Sequence, residues 1–244
     1  MMRLGRQLVV VFLLATGSSA AADGTQPVAL AVAPHPTAAV GVVLLGGRAV
    51  CTGTLIAADL VLTSAHCLDG AGRAATDPSR IRFRTGAYPG VTPVEIGAAR
   101  IVAHPLYPEP GEVSAIERRT GYDLALVRLG EDVPVAAALP LRPTRDLVVA
   151  PRLLIASFRG GQGVRARERT CPVIDATDRM IRMGCDVRPG ESGAPVLQHG
   201  ASGLALVGVL SARAEDGPQK LAIAAGSTRI GQLLAVMGPP IAKP

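Results

Sequence analysis

Short apolar runs recur along the chain, separated by breaks rich in Gly, Pro and Asp. That spacing predicts strands joined by turns rather than long helices. Val40 to Leu45 runs into Gly46-Gly47, and Ala49 to Ile56 is divided from Leu60 to Ser64 by Ala57-Ala58-Asp59. Ile81 to Arg84 alternates as a half-buried strand should, and Val94 to Ile96 and Arg100 to His104 continue the pattern. Pro105 to Thr120 reads as a loop. Strands follow at Tyr122 to Leu129, Leu147 to Val149 and Leu153 to Ala156. Thr170 to Arg188 has the form of a hairpin, and Ala194 to Leu197 pairs with Leu204 to Leu210 across His199-Gly200. After Leu221 to Ala224, Ser227 is placed to cap a closing helix over Thr228 to Met237, with Ile230, Leu233, Leu234 and Met237 on one face. The expectation is an all-β barrel architecture ending in a short helix, with no internal repeat.

Composition sharpens this picture. Hydrophobic residues make up 48% of the 244, but aromatic residues only 2%, so the core must be built from Val, Leu, Ile and Ala. The 28 glycines and 20 prolines suit a fold with many turns. A formal charge of +6 is carried almost wholly by Arg, since Lys occurs only at Lys220 and Lys243. No basic run interleaved with aromatics is present, which argues against a nucleic-acid partner.

The first residues read as a leader for export. Arg3 and Arg6 precede the apolar stretch Leu8 to Ala15, and small residues from Ser18 to Ala22 offer cleavage sites. Residues 1–22 are therefore expected to be removed, which lowers the formal charge to +4 and leaves no membrane association; a retained anchor is the alternative. Residues 23–37 are expected to be flexible, and 38–240 to form the working domain. In an oxidising compartment the four cysteines suggest disulfides, local pairing being the simplest of three connectivities. No Cys-x-x-Cys or His cluster suggests a metal, and no cofactor is implied.

Three local patterns carry candidate chemistry. His66 ends an apolar strand beside Cys67, Asp123 opens a strongly hydrophobic strand, and Ser192 sits in the Gly-flanked turn of Cys185 to Pro195. A serine becomes a nucleophile when a base takes its proton and N–H donors await the oxyanion. Thr63-Ser64-Ala65-His66-Cys67, Asp123-Leu124-Ala125-Leu126 and Gly190-Glu191-Ser192-Gly193-Ala194-Pro195 resemble the signatures of trypsin/chymotrypsin-like serine proteases, in that family's His–Asp–Ser order. Cys51-Thr52-Gly53-Thr54-Leu55-Ile56 is similar to the strand whose cysteine pairs with the one beside the histidine. The resemblance implies two six-stranded antiparallel β-barrels with a cleft between them, a Cys51–Cys67 disulfide, and protein or peptide substrates; local pairing would tie the Thr170 to Arg188 hairpin through Cys171 and Cys185, and a monomer is expected. The resemblance also implies that His66, Asp123 and Ser192 are catalytic and that the N–H groups of Gly190 and Ser192 bind the oxyanion.

Several residues depart from the family pattern. Glu191 stands where the usual residue is Asp, and Ala194 where it is Gly. No Ile-Val-Gly-Gly start is recognisable to supply the amine that pairs with that acid in activated zymogens, so an arginine becomes its expected partner. Ala156-Ser157-Phe158-Arg159-Gly160 replaces a Gly-Trp-Gly-like turn, and Cys185-Asp186 is closer to bacterial secreted members, the glutamyl-endopeptidase-like branch among them. Asp186, Ser211 and Arg213 are the candidate specificity residues. By its position Asp186 would favour a basic side chain before the scissile bond, whereas Arg213 would either neutralise it or receive an acid. His35, His104 and His199 are assigned to surface or structural roles. A catalytically silent binding protein on the same fold is the alternative reading.

Overall fold

At Gly46 and Gly47 the backbone takes φ values of 57° and 78°, the left-handed pair that a tight hairpin turn needs. This turn folds β1 (Val40–Leu45) onto β2 (Arg48–Ala57), and β3 (Leu60–Thr63), β4 (Ile81–Thr85), β5 (Glu95–Ala103) and β6 (Ala125–Leu129) complete the set. They close into an antiparallel barrel in the order β1-β2-β3-β6-β5-β4. A second closed barrel, ordered β10-β11-β12-β9-β8-β7, is made by β7 (Arg152–Ser157), β8 (Arg167–Ala176), β9 (Met180–Met183), β10 (Pro195–Gly200), β11 (Gly203–Asp216) and β12 (Gln219–Gly226). Closure leaves no exposed sheet edge. A computed structural model describes residues 35–68, 77–88, 92–108, 116–134, 150–161, 165–200 and 203–239. Residues 1–22, 23–34 and the run Leu147 to Val149 lie outside these.

The cores are aliphatic, as an aromatic-poor sequence requires, with Phe83 and Phe158 the largest fully buried side chains. Along β4, Ile81, Phe83 and Thr85 point inward while Arg82 stays exposed. Cys51–Cys67 and Cys171–Cys185 are both disulfides, joining residues 16 and 14 apart. Each constrains the unfolded chain by about 3 kcal/mol on loop-entropy grounds. The second ties β8 to the segment just past β9, which leads to Ser192.

Several local expectations differ from the structure: Val94 to Ile96 and Arg100 to His104 fall in one strand, β5, and His199-Gly200, expected as a turn, ends β10 paired with Leu204 and Gly203. Part of the expected loop Pro105 to Thr120 is a short helix, α1 (Ile116–Gly121). The closing helix α2 (Ile230–Met237) follows a single 3-10 turn, Ser227–Arg229; Arg229 holds the cap position and no side chain caps it. The fold also starts earlier than residue 38, with a 3-10 turn over Pro36–Ala39 in which Thr37 is fully buried. Its hydroxyl donates to Glu168 of β8 at 2.7 Å, a bond between segments distant in sequence that no local pattern foretells.

His104 is buried against Tyr122, with its Nδ1 accepting the Leu106 N–H at 3.1 Å. Burial holds its pKa below the ordinary 6.5, Arg229 adds to the shift and Gln232 opposes it. As pH falls through 6.5 the unfolded chain takes up the proton first, so this site reduces stability in acid and has no effect above that value. His104→Asn keeps the acceptor but does not titrate. We expect the variant to lose less stability than the parent between about pH 7 and pH 5, read from denaturant midpoints.

Candidate active site

The two barrels meet around Thr52 of β2. Its hydroxyl donates to the Gly190 carbonyl at 2.9 Å and accepts the Phe158 N–H at 3.0 Å. Its N–H donates to the Ser192 carbonyl at 2.8 Å, and its carbonyl accepts the Thr63 hydroxyl at 2.8 Å. Ser64 adds a bond from its hydroxyl to the Leu210 carbonyl at 2.9 Å. The Ser192 turn is thereby fixed to the barrel that carries His66.

His66 lies in a one-turn 3-10 helix, Ala65–Cys67, directly after β3, and Cys67 anchors that turn to β2 through its disulfide. Asp123 precedes β6, the strand paired with β3, so the sheet brings the two side by side. The His66 Nδ1 is 2.6 Å from Asp123 Oδ2, and the His66 backbone N–H donates to Oδ1 at 2.9 Å. Asp123 is only 3% exposed, so an acid there needs several donors. A third comes from Ser211, whose hydroxyl donates to Oδ2 at 2.5 Å. The pairing register of β11 shifts between Leu210 and Ala212, and such bulges re-aim single side chains. Ser211 therefore faces Asp123 as well as lining a cavity.

The turn before β10 has an unusual hydrogen-bond inventory. Arg188 N–H donates to Glu191 Oε2, Glu191 N–H to the Arg188 carbonyl, Gly193 N–H to the Leu210 carbonyl, and Ala194 N–H to the Glu191 carbonyl. Pro189 has no N–H. From 188 to 194, that leaves the N–H groups of Gly190 and Ser192 with no acceptor among the described residues. Gly190 has φ 91° and Gly193 φ 81°, values that glycine alone adopts without strain. A Cβ on Gly193 would also sit 2.1 Å from the Thr52 carbonyl oxygen. Ala194 is fully buried and fits where the family pattern has glycine.

Glu191 is 1% exposed and heavily partnered. Its carboxylate accepts from Arg169 Nη2 at 3.0 Å, Ser157 Oγ at 3.0 Å and the Arg188 N–H at 2.6 Å, with Arg159 Nε 3.9 Å away. Arg169 also donates to the Asp186 carbonyl, so one guanidinium ties both ends of the segment leading to Ser192. The arginine expected for Glu191 is thus Arg169, on β8 of the same barrel.

Two cavities open beside Ser192. One of about 290 Å³ is shared by His66, Ser192 and Gly190 with the Cys51–Cys67 disulfide. The other, about 170 Å³, is lined by residues 187–189 and 192 on one side and 210–213 on the other. Asp186 is not among its walls; its carboxylate is half-exposed and lies 2.5 Å from Arg188 Nη2. Cys51, His66 and Cys67 are close enough together to suggest a metal centre, but both sulfurs are spent in the disulfide.

Residues 51–209 match the family model of the trypsin-like peptidase domain. The chain belongs to that family. The match spans strands of both barrels and includes His66, Asp123 and Ser192. In this trypsin-like peptidase domain, the residues that sequence reasoning passed over are Thr52, Ser157 and Arg169. Each acts on a residue far away in the chain, and only Arg169 had a signal, the unpartnered acid at Glu191. His35 and His199 are exposed and lie outside both cavities.

Proposed function

We propose that this trypsin-like peptidase is an exported serine endopeptidase working through an acyl-enzyme. The observation that carries this is the pairing of the His66–Asp123 contact with two uncommitted N–H groups flanking the Ser192 turn, beside a shared cavity. With Nδ1–H donating to Asp123, the free lone pair of His66 is on Nε2, which lies 3.8 Å from Cys67 Sγ, and the residue lines the cavity that Ser192 shares. Ser192 Oγ attacks the peptide carbonyl as Nε2 takes its proton, and Asp123 stabilises the imidazolium. The oxyanion is received by the N–H groups of Gly190 and Ser192, each such donor being worth about 10²–10³ in rate. The imidazolium then protonates the leaving amine as the C–N bond breaks. Water, deprotonated by His66, attacks the acyl-Ser192 ester, and proton return to Ser192 frees the acid. These steps use the chain's own side chains and backbone N–H groups together with water, and the substrates are proteins or peptides.

Export is supported by the leader pattern and by two disulfides, which persist in oxidising compartments. Among the described residues no helix is long and apolar enough to cross a membrane. The silent-scaffold alternative rested on Glu191 and Ala194, and both are accommodated with partners or full burial. With an activated ester, purified protein should release a burst of alcohol equal to its active-site concentration before the steady state. Release with no burst and no dependence on Ser192 would rule out the acyl-enzyme.

A further inference from the structure

We propose that the cavity between residues 187–189 and 210–213 selects an acidic side chain on the acyl side of the scissile bond, with Arg213 as its recognition group. The proposal rests on the peptidase reading above. It starts from the charges on the cavity walls: Arg188 and Arg213 are the ionisable lining residues, and no carboxylate lines it. The two arginines are not equivalent. Arg188 is engaged by Asp186 at 2.5 Å, and its charge is offset there. Arg213 makes no hydrogen bond or ion pair among the described residues.

The β11–β12 register explains why. Two residues beyond Arg213, on the same face of β11, stands Glu215, the nearest acid along the strand. Glu215 is paired across the ladder with Lys220, and their side chains are bonded. The pKa of Glu215 is lowered first by Lys220 and only weakly by Arg213. Arg213 is therefore left as a cation on the wall of a cavity that reaches Ser192.

A lysine or arginine side chain entering this cavity would meet a like charge and no acid. An apolar one would rest on Val187 and Leu210 without using the guanidinium. A carboxylate would gain a charge-assisted, two-pronged contact of the kind guanidinium groups favour. Of the two outcomes that the sequence left open for Arg213, receiving an acid is the one that this geometry supports, because Asp186 is already taken by Arg188.

The test is kcat/KM for internally quenched peptides that differ only before the scissile bond, carrying Glu, Gln, Leu or Lys. We expect Glu over Gln by about ten- to a hundred-fold, the range of a hydrogen bond to a charged group, with Lys the slowest. The ratio should fall as salt is raised, because Arg213 is exposed. In Arg213→Gln the Glu/Gln ratio should collapse toward one, and Arg213→Glu should turn the preference toward Lys. Ratios within one variant cancel any general loss of activity, and Arg213→Lys should restore part of the preference. Equal cleavage of the Glu and Gln peptides by the parent, or a ratio unchanged in Arg213→Gln, would overturn the proposal. A ratio lost in Arg188→Gln but kept in Arg213→Gln would overturn the assignment to Arg213. If Ser192 reacts with a phosphonate yet Lys is preferred, this proposal alone fails; if no peptide is cut and Ser192 is inert, the peptidase reading fails with it.

Discussion

Replacing Asp123 with asparagine is expected to lower kcat by roughly 10⁴, the scale known for this change in serine-protease triads. The carboxylate accepts from the His66 Nδ1 side, the His66 backbone N–H and the Ser211 hydroxyl. An asparagine can satisfy one or two of these donors with its carbonyl oxygen, but its amide nitrogen is itself a donor. Facing His66, it would force Nδ1 to accept, placing the ring proton on Nε2, where the base must be free. The fold should survive, since volume and most hydrogen bonds are kept. KM should change little, because Asp123 is buried behind the imidazole and does not touch the cleft wall. Kinetics with one peptide and near-ultraviolet circular dichroism check both parts. A kcat near that of the parent would remove Asp123 from the mechanism.

The second large effect is expected at Arg169. Arg169→Met keeps the aliphatic stem but leaves the Glu191 carboxylate, 1% exposed, with Ser157 and the Arg188 N–H as its close donors. Removing one partner of a fully buried ion pair costs about 3–5 kcal/mol; here Arg169 is 30% exposed and Arg159 remains 3.9 Å away, so the loss should fall below that range. The damage should reach catalysis, because Glu191 lies between the two N–H groups proposed for the oxyanion. If the turn loses one of them, kcat/KM falls by about 10²–10³. Glu191→Gln in the same chain removes the stranded charge and should recover much of the stability, so a double-mutant cycle of denaturant midpoints would show strong coupling. Additive losses would mean that Arg169 and Glu191 act independently.

Much of the fold was legible because its signals are local. The β10–β11 pairing, the alternation in β4 and the β8–β9 hairpin follow from runs, turns and the pleat. The nearest-neighbour cysteine pairing also holds. What escaped is contact between distant segments. Arg128 was not singled out in its strand, yet it is 4% exposed and donates to both Asp59 oxygens at 2.9 and 3.1 Å. Ser211 was legible only as a pocket residue, since nothing in the sequence marks the bulge that turns it to Asp123. Thr52 looked like one more strand threonine; its role exists only once two barrels share a boundary. For Asp186, the family's spacing suggested a pocket acid, whereas in the structure its carboxylate lies 2.5 Å from Arg188 and it is not among the residues lining the cavity.

The central claim is that Ser192 is an activated nucleophile. The most direct measurement is intact-mass and peptide-map analysis after treatment with a fluorophosphonate. The account predicts one adduct per chain, on Ser192, forming slowly in Asp123→Asn and absent from Ser192→Ala. An adduct on another residue, or an unreactive parent protein with native circular dichroism, would contradict it.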